Sequence, residues 1–175
     1  MTRTRRALAA RYVAAALLAV VAALLSGCGS GSGTSSDSQS RMTHAEYGEA
    51  IARIELSPTA READKLFLML ASGSVNGEDC RKGARRFAND VHSIIDSVAA
   101  LDPPADVGDL QQELLTAARE SSSQIDNLAR DVEGGTVACG QPWNQRAYGL
   151  ASTSRAQQII TELGKRGYKL GLNSE

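Results

Sequence analysis

The sequence predicts an all-α protein, an up-down-up-down four-helix bundle, and three observations carry that expectation. From Met42 onward apolar side chains recur at steps of three and four, and no stretch keeps the alternation a half-buried strand needs. Strong stop signals, Asp102-Pro103-Pro104 and Gly134-Gly135, separate the later blocks. At a rise of 1.5 Å per residue the first three blocks come to roughly 45, 36 and 42 Å, lengths that match as bundle members.

The first block opens at Thr43, which with Glu46 makes a Thr-x-x-Glu capping box, and carries Tyr47, Ile51 and Ile54 on one face. Pro58 interrupts it. Ser57 before that proline, and Thr59 with Glu62, both resemble a second start, after which Ala63, Leu66, Phe67 and Leu70 continue the stripe. Two short helices of about 20 Å would not cover their neighbours, so one helix kinked at Pro58 is expected.

The second block places Cys80, Ala84, Phe87, Val91, Ile94, Val98 and Leu101 along a bundle seam. The third, from about Asp106 to Glu133, turns Val107, Leu110, Leu114, Ala117, Ser121, Ile125, Leu128 and Val132 inward. The fourth starts near Pro142 and passes through Leu150, Ala156, Ile160 and Leu163 toward Leu170, with Gly164, Gly167 and Gly171 weakening its end. Small seam residues, Ala84, Ala117, Ser121 and Ala151, are expected to bring the helices close.

Ahead of this domain, 42–175, the chain is of another kind. Residues 1–27 comprise a basic stretch, an apolar run from Tyr12 to Leu25 and a small-residue end, which is signal-peptide anatomy. The run is shorter than the roughly 17 to 25 residues a membrane-spanning helix needs. Gly29 to Ser40 contains no apolar side chain, so residues 28–41 are expected to form a flexible tether with a typical reach near 20 Å.

Division of the chain also changes its charge. The whole has 19 basic and 20 acidic side chains and a net charge of −1, with 4% aromatic residues, which excludes a basic nucleic-acid binder. Four of the basic residues, Arg3, Arg5, Arg6 and Arg11, precede Cys28, so a chain beginning there carries 15 basic and 20 acidic side chains, a net charge of −5.

The leader ends Leu25-Ser26-Gly27-Cys28, which resembles the lipobox of bacterial lipoproteins. With the Gly/Ser tether and the Leu101-Asp102-Pro103-Pro104 turn before a long helix, the chain is similar to the small alanine-rich lipoproteins of actinobacteria. The resemblance implies cleavage before Cys28, a diacylglyceryl group on its sulfur, a freed amino group open to acylation with palmitate-type chains, and residence on the extracytoplasmic face of the cell membrane. Two or three acyl chains make a stable anchor where one is marginal. No cofactor beyond this covalent lipid is expected.

With Cys28 given to lipid, Cys80 and Cys139 are left in a chain exported to an oxidising side, where they are expected to form a disulfide. The bundle topology agrees, since Cys80 opens the second helix and Cys139 precedes the fourth, at the same end.

Catalytic motifs are missing. The sequence has no Gly-x-Ser-x-Gly and no Ser-x-x-Lys, and acids such as Asp106 and Asp109 stand where a helix N-terminus favours them. The only histidines are His44 and His92, so neither Met42 with His44 nor His92 with Asp96 makes a strong metal pattern, and no metal site is expected. Arg81, Lys82, Arg85 and Arg86 cluster in the first turns of a helix, where the dipole disfavours cations. Together with Trp143 they form the candidate interface, against plainer readings in which the cations are a solvated face paired with Glu78, Asp79 and Asp90 and Trp143 packs over the disulfide. The expected function is a membrane-anchored, non-catalytic helical module that binds an envelope protein or wall component. The alternative is a small-ligand or metal carrier with a pocket between helices.

Overall fold

The structure is a computed structural model that describes residues 41–148 and Gln158. Among them every regular element is helical: α1 (His44–Glu55), α2 (Pro58–Ser72), α3 (Gly77–Ala99), α4 (Gly108–Glu133) and α5 (Gln141–Tyr148). The expected leader, Cys28 and the expected tether to residue 40 lie outside the described residues, as do Leu150, Ala151, Ala156, Ile160, Leu163 and Leu170 of the fourth block. No helix of the described residues is long and apolar enough to cross a membrane.

Thr43 starts α1 through the expected capping box: its hydroxyl accepts from the Glu46 amide, and the Glu46 carboxylate accepts from the Thr43 amide at 2.8 Å. The backbone hydrogen bond from Thr43, aided by its hydroxyl, holds the Glu46 carboxyl below the usual range.

The expected kinked first helix is two helices. α1 ends at Glu55, Ser57 is extended at ψ 154°, and its hydroxyl caps α2 by accepting from the Ala60 amide at 3.1 Å. Pro58 disfavours helical geometry in Ser57 and is itself preorganised for a first helical position, so the sequence restarts a helix instead of bending one. The length argument failed because it required every helix to span the bundle, whereas α1 is anchored to one end of it.

Side-chain pairs give the directions of the three long helices. Arg86 meets Glu62 at 3.5 Å, Leu70 packs under Gly83, and Phe67 and Phe87 lie 5.9 Å apart, so α2 and α3 are antiparallel. Arg85 meets Glu133 at 2.6 Å, and the Gln111 amide donates to the Leu101 carbonyl at 3.1 Å, so α3 and α4 are antiparallel too. All eight inward positions expected on α4 are buried. On α3 the seam differs at one place, where Ile95 is buried and Ile94 only half-buried. A straight helix at 3.6 residues per turn drifts from a strict seven-residue repeat by about 20° per heptad, which moves the buried position by one.

Tyr47 fastens α1 to the α3–α4 turn. Its hydroxyl donates to Gln111 Oε1 at 2.6 Å in a buried site, while the Met42 amide donates to the Asp102 carbonyl at 3.1 Å. Burial pushes the Tyr47 phenol up to about 12.

At the opposite end α5 docks on the end of α2. The Gly140 amide donates to the Leu70 carbonyl at 2.7 Å, and Asn144 Nδ2 donates to the Ala71 carbonyl at 2.8 Å. Gly73 and Gly140 both have positive φ, 68° and 95°, and a Cβ added at Gly73 would stand 3.1 Å from Gly140 Cα. Only two residues without side chains let these turns approach so closely.

Candidate functional site

The disulfide joins Cys80 to Cys139 with a Cα separation of 6.1 Å, at the end where α2 meets α3 and α4 meets α5. Cys80 is buried and Cys139 half-buried. Close by, Trp143 is completely buried, at 0% exposure, and sets its edge against Phe87 with ring centroids 6.0 Å apart. This is the plainer of its two expected readings, packing beside the disulfide, and it takes Trp143 out of the candidate interface. An indole on the inward side of a short docking helix gains more by displacing water from the core than by standing in solvent.

The basic cluster is exposed along the outer side of α3. Lys82 meets Glu78 at 2.7 Å, Arg85 meets Glu133 at 2.6 Å and Arg86 meets Glu62 at 3.5 Å. Arg81 has no ion pair among the described residues. Hydrogen bonding to Arg85 holds the Glu133 carboxyl below its usual range. Of the three acids expected to neutralise the cluster, Glu78 does so. Asp90 is half-buried, and one of its oxygens is buried without a hydrogen-bond partner. Burial pushes its carboxyl up, against the pull of Arg86.

One constellation escaped the sequence. His92 of α3 turns to α4 instead of to Asp96: its Nε2 lies 3.0 Å from both Asp126 oxygens, and Ser122 Oγ lies 3.0 Å from Nδ1 and 3.1 Å from Nε2. These are the residue types of a nucleophilic triad. The geometry does not serve that chemistry, because a relay needs the hydroxyl along the in-plane lone pair of the nitrogen opposite the carboxylate, and Ser122 Oγ, almost equidistant from both nitrogens, lies along neither. Ser122 is also 3% exposed and lies mid-helix, where backbone N–H groups are spent on the helix and none is left to stabilise an oxyanion. The arrangement ties α3 to α4. Its sequence signal was present in Ser122 and Asp126, one turn apart beside the seam, but the partner on the other helix depends on interhelical register.

His44 Nε2 makes a second such tie, to Asp106 at 3.0 Å. Among the described residues no three His, Cys, Asp or Glu side chains gather as a metal site would require. Two half-buried carboxyls do lie near each other. Burial, with the Asp64 charge second, pushes Glu55 up to about 7, and burial pushes Asp64 up as well.

A surface groove of about 220 Å³ opens where the end of α1, the start of α2 and the second half of α3 meet. It is lined by Arg53, Ile54, Ser57, Thr59, Ser93, Ile94 and Ser97. Comparison of the chain with protein-family profiles, with curated proteins and with solved structures finds no match.

Proposed function

We propose that this chain is a lipoprotein anchored through Cys28 to the extracytoplasmic face of the cell membrane, with a non-catalytic helical domain that binds another envelope component. In this reading the domain is an up-down-up-down four-helix bundle whose fourth arm is the block that starts near Pro142. The observation that carries the proposal is the Cys80–Cys139 bond, which belongs to an oxidising compartment and stands behind a leader ending in Leu25-Ser26-Gly27-Cys28.

The binding surface in this proposal is Arg81, Lys82, Arg85 and Arg86. Their ion pairs are solvent-exposed, and such pairs contribute only about 0 to 1 kcal/mol each, so an anionic partner can exchange with the internal acids at little cost. The position of the cluster also narrows the partner. The tether joins the domain at the α3–α4 turn, whereas the cluster lies at the beginning of α3, a 23-residue helix about 34 Å long. Such placement favours a protein or wall polymer over the headgroups beside the anchor.

Cys28→Ser should move the protein from the membrane to the soluble fraction, and the wild type should carry the mass of its acyl chains. Unchanged fractionation without a mass increment defeats the anchor. Crosslinking in intact cells should capture a partner that is lost when all four basic residues are changed to Glu; undiminished capture by that variant defeats the surface.

A further inference from the structure

The groove at the α1–α2 corner lies apart from the basic end and has its own chemistry. Two walls face each other across it. On the α1 and α2 side, Arg53 bonds through Nε to the Glu49 carbonyl and has no ion pair among the described residues, which leaves its terminal nitrogens as donors. Ser57 Oγ accepts from the Ala60 amide, so its own proton is free to donate, and the Thr59 hydroxyl has no hydrogen bond among the described residues. No acidic side chain lines the groove. A guanidinium and two hydroxyl donors on one wall suit a group with several anionic oxygens better than a carboxylate with two.

The α3 wall is complementary. Ser93 donates to the Asn89 carbonyl at 3.1 Å and Ser97 to the Ser93 carbonyl at 2.7 Å. Their protons are committed, so towards the groove they offer acceptor lone pairs, which suit ligand hydroxyl groups. Ile54 and Ile94 supply apolar surface between the two walls, where a short carbon skeleton fits. The volume, about 220 Å³, is below the roughly 300 to 1,000 Å³ of sites for drug-sized molecules, so the bound part has only a few carbons.

We propose that this groove binds a small polyol phosphate, with the phosphate on Arg53, Ser57 and Thr59 and the hydroxyls on Ser93 and Ser97. Two sources share that chemistry: a free phosphorylated polyol, and a lipid headgroup in which glycerol is joined to phosphate. The site does not depend on the basic cluster or on what that cluster binds.

The test uses the full-length chain in non-ionic, phosphate-free detergent, with the methyl resonances of Ile54 and Ile94 as the reporter. Glycerol 3-phosphate serves as the free probe and dihexanoyl phosphatidylglycerol as the headgroup probe, with acetate and dihexanoyl phosphatidylcholine as comparators. Saturable shifts with either probe are expected, weakened at least tenfold by Arg53→Gln and several-fold by Thr59→Val. Arg119→Gln, which removes the same charge at an exposed position outside both the groove and the basic cluster, should leave the affinity within twofold. A response to glycerol 3-phosphate assigns a free ligand, and a response to the lipid alone assigns the headgroup. The proposal is overturned if neither probe gives saturable shifts, if Arg53→Gln and Arg119→Gln weaken binding equally, or if the comparators bind as tightly. Retained helical circular dichroism in each variant separates lost binding from lost folding.

Discussion

The two ends of the helical domain are closed by different chemistry. At one end a covalent bond, a buried indole and two glycines in contact lock the α2–α3 and α4–α5 turns together. At the other, α1 is held over the α3–α4 turn by polar contacts: Tyr47 on Gln111, Met42 on Asp102 and His44 on Asp106. The first end resists loosening because its constraint acts on the unfolded chain and does not weaken with pH or salt. The second depends on hydrogen bonds, each of small net worth because water can replace it, so conditions can shift it. The lesson is that the rigid end displays the basic cluster, while the adjustable end is where the described chain begins at residues 41 and 42.

The largest effect that would break this contrast is loss of the disulfide. The bond spans 59 positions, and chain entropy values such a loop at about 4 kcal/mol. Cys80→Ser with Cys139→Ser should therefore lower the urea-unfolding free energy by about that amount, and unchanged stability would show that packing alone closes this end.

Gly140→Ala comes next. It places a side chain at φ 95° and against Gly73, and sparsely populated backbone conformations cost about 1 to 3 kcal/mol. A loss near 2 kcal/mol in the same assay is expected, with hydrogen exchange rising first in α5.

Tyr47→Phe probes the other end. It leaves Gln111 Oε1 buried without its donor, at about 1 to 2 kcal/mol, and exchange should rise in α1 while α5 keeps its protection. Equal loosening of both ends would erase the distinction drawn between them.

The smallest effect is the pH response of Glu55. Its carboxyl is pushed up to about 7 in the folded protein from an ordinary value of 4.5, so the folded state binds more protons than the unfolded state between those values. Stability from this group is full below about pH 4.5, falls as pH rises towards 7, and is flat above. Glu55→Gln should flatten that window, matching the wild type near pH 4 and exceeding it modestly at pH 8. Urea midpoints at the two pH values check the sign.

Much of the helical layout was legible because it follows from local signals. Thr43 with Glu46, Ser57 before Pro58, and Gly134-Gly135 each act within one turn of chain, and Gly135 takes a left-handed φ of 76° after α4. The α4 seam was legible residue by residue because one face of a long helix repeats regularly. Trp143 was harder to place. A lone aromatic next to charges fits both a surface and a core, and only the docking of α5 on α2 and α3 decides between them. The His92, Ser122 and Asp126 tie and the Arg53 groove were illegible for the same reason, since each is made of side chains from different helices.

By itself, then, the sequence determined the helical class, the start and stop of most helices, which two cysteines pair, and a composition that sets residues 1–41 apart from the rest. Those properties depend on backbone propensities, capping and composition over short stretches. Only the tertiary structure decided that α1 is a separate helix anchored to one end, that Ile95 and not Ile94 faces inward, that Trp143 is core, and that Arg53 shares a groove with the serines of α3. Each of these depends on which neighbour a face meets, and the rotation and register of packed helices are set by the fit of the whole core.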